Sequence, residues 1–130
     1  MPEVARQKMQ IFNITPMGKP RQTRADKWKQ RDVVLRYLAF CDEVRLKNVV
    51  MPEAGSHITF ILPMPASWSQ KKRAVMNGQA HQQKPDVDNM IKALMDALYA
   101  DDAHIWDLRV TKLWGVTGQI LISDIGEVAA

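Results

Sequence analysis

The chain has 130 residues, 46% of them apolar and 25% charged, with a net charge of +4 and one cysteine, Cys41. That length suits a single domain over 1–130, and the mixture suits a globular rather than a disordered chain. No apolar run approaches the roughly 18 residues of a membrane helix, no basic-then-apolar leader opens the chain, and a lone cysteine excludes an internal disulfide or cysteine metal cluster, so the expectation is a cytoplasmic protein with no membrane partner.

Residues 1–8 are polar and read as frayed. Met9 to Thr15 alternates Met9, Ile11 and Asn13 against Phe12 and Ile14, which predicts a short strand ended by Pro16. Pro16-Met17-Gly18-Lys19-Pro20 cannot continue regular structure and is a loop carrying cations. A helix is predicted from Thr23 to Leu46. Val34, Leu35, Leu38 and Cys41 share one face, widened by Val33, Tyr37, Phe40 and Val44. Its first turns are basic, which the helix dipole disfavours; they are either a solvated face or a seat where phosphate offsets that cost.

His57 to Leu62 predicts a second strand with Ile58, Phe60 and Leu62 on one side, stopped by Pro63 and Pro65. His57 has no second histidine at ligand spacing and is not read as a metal ligand. Ser67-Trp68-Ser69-Gln70 fits a capping box for a short basic helix from Trp68 to Asn77, closed by Gly78. Trp68 either stacks on a base or anchors this helix. The segment through Lys84 is polar and expected to be mobile without ligand.

The next helix starts after Pro85, with Val87, Met90, Ile91, Leu94, Met95 and Leu98 as its core stripe and Asp88, Lys92 and Asp96 on the other face. Ala103 to Trp114 predicts a strand with Trp106, Leu108, Val110 and Trp114 on one side. Lys112 falls among them, and either snorkels to an edge or points toward phosphate. A turn at Gly115-Val116-Thr117-Gly118 leads to a last strand, Gln119 to Ser123, predicted to pair with the one before it as an antiparallel hairpin. The order β-α-β-α-β-β, with the basic helix inserted, predicts an α+β fold: a two-layer structure with a mixed sheet of about four strands and two main helices on one face.

Charge is distributed unevenly. Pro16 to Arg31 holds six cations against one anion and Pro65 to Lys84 four against none, whereas Lys84 to Asp102 holds five aspartates. Basic segments flanking an acidic one suit a site that grips phosphate and holds a cation beside it, with binding that falls steeply with salt. Lys19, Arg21, Lys71, Lys72, Arg73 and Lys84 are the DNA-contact candidates. Asp86 and Asp88 are two apart at a helix start, where residues two apart can point to one side and the dipole stabilises their charge. The plain alternative is that Asp-x-Asp only caps a helix and Asp101-Asp102 only turns the chain.

The composite Lys84-Pro85-Asp86-Val87-Asp88-Asn89, with Lys92, Asp96-Ala97-Leu98 and Asp101-Asp102-Ala103 after it, resembles the RusA-type Holliday junction resolvases of bacteriophages and prophages. The likeness covers residues 84–114 well and extends loosely to Trp68–Arg73 and Pro16–Arg21. It implies a homodimer that nicks four-way DNA junctions symmetrically in recombination and repair. It further implies catalytic magnesium, with manganese able to replace it, held by Asp86, Asp88 and Asp102, and a catalytic lysine at Lys92. Asp101 is the alternative to Asp102, and Asn89 is a further candidate beside the acidic pair. About thirteen residues of straight helix span roughly 20 Å, too far for Asp102 to reach Asp88. So the helix is short, the chain doubles back, or the site is assembled between subunits. Two rival readings fit the residues: a DNA-binding module without catalysis, and a metal-dependent hydrolase acting on flaps or nucleotides.

Overall fold

Alternation along the second strand puts Ile58, Phe60 and Leu62 on one side, and two helices close over that side. The computed structural model describes residues 9–21 and 32–125. In chain order its elements are β1 (Met9–Phe12), α1 (Asp32–Leu46), β2 (Ser56–Pro63), α2 (Gln70–Met76), α3 (Val87–Leu98), β3 (Leu108–Gly115) and β4 (Gln119–Asp124). The predicted helix residues from Thr23 to Arg31 lie outside the described residues, as do residues 1–8. No helix among the described residues is long and apolar enough to cross a membrane.

The sheet order is β1-β4-β2-β3. β2 runs parallel to β3 and antiparallel to β4, and β1 runs antiparallel to β4. The fold is therefore the expected α+β one, but the predicted β3–β4 hairpin does not form, because β2 lies between those strands. Gly115 pairs with Pro63 on one flank of β2 and Gln119 with Ile61 on the other. Val116–Gly118 thus crosses the end of β2, a gap of about 9.6 Å or two strand spacings. The glycines that suggest a hairpin turn serve this crossing. A Cβ on Gly115 would meet the Ile61 side chain, and one on Gly118 would stand 2.6 Å from the Thr15 Cα.

The core joins Ile58, Phe60 and Leu62 of β2 and Ile120 and Ile122 of β4 to Phe40, Cys41 and Val44 of α1 and Met90, Ile91, Ala93, Leu94 and Ala97 of α3. Each fully buried large side chain contributes about 1.5–3 kcal/mol from leaving water. Of the predicted α3 stripe, Met90, Ile91 and Leu94 are buried and Met95 and Leu98 half-buried against the core, while Val87 at the first turn is exposed. α1 is rotated from its predicted face: Phe40, Cys41 and Val44 are buried, while Leu35 and Leu38 are exposed. The strand predicted from Ala103 begins only at Leu108. Trp106 is 73% exposed on the preceding loop and donates its indole N–H to the Glu53 carbonyl at 3.0 Å.

Candidate active site

Asp86 is the residue before α3, with φ −68° and ψ 146°, and its side chain makes no capping hydrogen bond. Its backbone carbonyl accepts the Met90 N–H at 3.1 Å, so the helix begins without using the carboxylate. Asp88 lies exposed in the first turn. Both stand at the N-terminal, positive end of the helix dipole. Together with Asn89, Lys92, Lys84, Lys19, Pro20 and Arg21 they line a cleft of about 530 Å³.

Two attachments frame this cleft. On one side, the loop before α1 is docked on α3. The Lys19 N–H donates to the Asn89 carbonyl at 3.3 Å, the Asn89 side-chain amide returns a bond to the Lys19 carbonyl at 3.0 Å, and the Lys19 ammonium pairs with Asp96 at 2.6 Å. Gly18 permits the approach, since a Cβ there would sit 2.7 Å from the Asn89 Nδ2. On the other side, Lys112 of β3 donates to the carbonyls of Gln83 at 2.6 Å and Pro85 at 2.7 Å. Lys112 is therefore tied to the backbone just before Asp86 and does not line the first cleft.

The segment expected to be mobile is instead stitched to β3. Gly78 N–H donates to the Trp114 carbonyl at 2.8 Å, Trp114 N–H to the Gln79 carbonyl at 2.9 Å, and His81 N–H to the Lys112 carbonyl at 3.1 Å. α2 starts later than predicted: Ser69, not Ser67, is its cap, and the Ser69 hydroxyl accepts the Lys72 N–H at 3.2 Å. Gly78 after it has φ +83°, as its predicted role at the helix end requires. Trp68 packs on Trp114 with ring centroids 4.8 Å apart and carries the Lys72 ammonium 4.3 Å from its own ring centre, so it anchors the basic helix.

Of the predicted DNA contacts, Lys71, Lys72 and Lys84 are exposed, as is Arg21. Arg73 donates to the carbonyls of Met64 and Pro65, and Lys19 is paired with Asp96, so these two cations hold the scaffold together. Neither role had a local signal, because each partner lies far away in sequence or is a backbone atom.

Asp101 and Asp102 lie past the other end of α3, whose 12 residues extend about 18 Å. Asp102 does not line the cleft, and among the described residues no three His, Cys, Asp or Glu side chains form a group able to hold a metal ion. The Asp101 carboxylate closes its own turn by accepting the Ala103 N–H at 3.0 Å. Asp102 makes no such side-chain bond among the described residues; its backbone carbonyl accepts the Ile105 N–H at 3.0 Å.

His81 is buried against Trp114, with centroids 4.1 Å apart and its Nδ1 without a hydrogen-bond partner among the described residues. Burial first, and then the Lys112 charge, hold its pKa below the ordinary imidazole range. The unfolded chain therefore takes up this proton before the folded one, and stability falls as pH drops below about 6.5. His57 adds to the same trend. Melting temperature should fall between pH 7 and pH 5, and His81→Phe, which keeps a ring on Trp114, should shrink that fall. An unchanged fall would assign the acid sensitivity elsewhere.

The site is a carboxylate pair among cations on an α+β scaffold, a donor set suited to a hard cation beside a phosphate. The chain belongs to the endodeoxyribonuclease RusA family, whose family model matches residues 12–123. It is also similar to the uncharacterized protein YqaN of Bacillus subtilis (strain 168), with 30% identity over 94 residues, 66% of this chain and 66% of that one. The family is one of DNA endonucleases, and the match takes in β2 through all but the last residue of β4 and every candidate site residue.

Proposed function

We propose that this protein is a magnesium-dependent endonuclease that resolves four-way DNA junctions by paired symmetric nicks, working as a homodimer in recombination and repair. The observation that carries the proposal is the Asp86–Asp88 pair at the start of α3, in a cleft shared with Lys84 and Lys92. The donor set fits a hard cation. Both groups are carboxylates, no thiol or imidazole among the described residues lines this cleft, and magnesium characteristically takes one or two carboxylates plus substrate phosphate. When bound, the ion supplies Lewis acidity toward the scissile phosphate and lowers the pKa of bound water.

The chain's own groups do the rest. Lys84, Lys71, Lys72 and Arg21 hold the DNA backbone by charge and position it without reading sequence. Lys92, one turn beyond Asp88, offsets the charge that develops on the phosphoryl oxygens. Water attacks phosphorus in line and the bond to the 3′ oxygen breaks, leaving a 3′ hydroxyl and a 5′ phosphate. A third carboxylate, Asp102, comes from the partner subunit, since α3 separates it from Asp86 and Asp88 of its own chain. Two such clefts related by a two-fold axis match the symmetry of a junction.

The test is a substrate panel in magnesium with the wild-type protein: labelled four-way junction, flap and linear duplex. The expected result is paired nicks in the junction, at least about 100-fold faster than any cut in duplex, a difference of ~2.7 kcal/mol in barrier. Equal cutting of all three would leave a general nuclease and defeat the junction reading.

A further inference from the structure

We infer that Lys112 is a positioning residue that sets Asp86 and Asp88 by clamping the chain just before them. The inference rests on the metal-site reading above and concerns how that site is held. Lys112 occupies the β3 position opposite Phe60, flanked on the same strand face by Val110 and Trp114, where a neutral apolar side chain is expected. A charge at such a position is retained only where it has partners, and its ammonium has two: the carbonyls of Gln83 and Pro85, at 2.6 and 2.7 Å.

These carbonyls sit immediately upstream of Asp86. Residues 82–84 are exposed, and the last backbone bond holding this segment to β3 is the one from His81 to Lys112 itself. Without the ammonium, the stretch from Gln82 to Asp86 would keep no bond to the sheet, among the described residues, beyond the one at His81. Lys112 also lines a second cleft, of about 550 Å³, on whose walls stand Lys84, Asp86 and Asp88. The acidic pair thus stands between two clefts. Asn89 secures it to the first loop on one side and Lys112 secures it to β3 on the other.

The clamp acts on where the carboxylates stand, not on how DNA is gripped, and that separates it from a phosphate contact. In Lys112→Met, single-turnover cutting at saturating junction should fall about 10–100-fold, the usual cost of losing a group that orients metal ligands. The magnesium midpoint of cutting should rise by a similar factor. Manganese affinity of the DNA-free protein, read by calorimetry, should weaken in parallel. Junction affinity without divalent metal should stay within about twofold, since a lost phosphate contact would instead weaken binding and flatten its salt dependence. Lys112→Arg, which can reach both carbonyls with its fork, should recover most of the loss.

Amide exchange of the folded variant supplies a readout independent of activity: protection should fall at residues 82–90 and hold in β2 and β4. If Lys112→Met does not fold, Lys112→Gln gives the same comparison with one donor kept. Wild-type rate and metal affinity in a folded neutral variant would overturn the inference. So would a loss of junction binding as large as the loss of rate, which would make Lys112 a DNA contact. Asp88→Asn run alongside tells the two failures apart: if it too keeps metal affinity and cutting, the metal-site reading itself has failed.

Discussion

Asp88→Asn should abolish cutting of a four-way junction in magnesium while leaving junction binding intact or tighter. Asparagine keeps the shape of the side chain and removes its charge, so the change isolates what the anion does. If Asp88 holds the cation, the rate should fall by about a thousandfold or more, equivalent to ~4 kcal/mol of transition-state stabilisation. Binding should move the other way, because the cleft that receives a polyanion loses one of its two carboxylates. Stability should change little: Asp88 is exposed in the first turn, where a dipole interaction is worth about 0.3–1 kcal/mol. Asp96→Asn is the matched control eight residues along the same helix. It breaks the half-exposed pair with Lys19, a contact of ~0–1 kcal/mol, and leaves both cleft carboxylates in place. A mutant at Asp88 that cuts as well as wild type would remove the catalytic site; one that loses cutting and binding together would make Asp88 a structural residue.

How far the sequence leads depends on whether the deciding interaction is local. The α3 stripe is legible because Met90, Ile91 and Leu94 repeat at helical spacing and nothing distant overrides them. Ala93 and Ala97 are buried too, yet their small size gives little periodic signal. Strand order is not local. β3 and β4 follow each other in the chain, and only the packing of Gly115 on Ile61 and Gly118 on Thr15 reveals that the connection passes over β2. The same limit governs charge. Counting cations finds the basic segments, but Lys19 and Asp96 are 77 positions apart and Arg73 binds backbone carbonyls, so neither assignment could be made by counting. Trp106 shows the converse error. It fits an apolar strand pattern, whereas the indole N–H finds its acceptor at Glu53 on the loop before β2 and the ring stays in solvent.

The distance between the two ends of α3 raises the question the resemblance left open, and its answer is a second large expected effect. Asp86 and Asp88 stand at the start of a helix about 18 Å long and Asp102 stands past its end, which supports the proposal that a three-carboxylate site draws on two chains. Asp88→Asn and Asp102→Asn should each give an inactive homodimer. Mixed after subunit exchange, they should regain activity. With Asp102 supplied by the partner, one cleft of a mixed dimer carries both defects and the other carries none. With Asp102 serving its own chain, every cleft carries one defect and the mixture stays dead. Random exchange makes about half of the dimers mixed, each with one sound cleft of two, so about a quarter of wild-type clefts should return. The product reports the same geometry: a mixed dimer cuts one strand of the junction, so a supercoiled plasmid bearing an extruded cruciform should go to open circle and not to linear. A mixture as inactive as its parents, with exchange verified by native mass spectrometry, would rule out a site shared between subunits and reduce the metal ligands from this protein to Asp86 and Asp88.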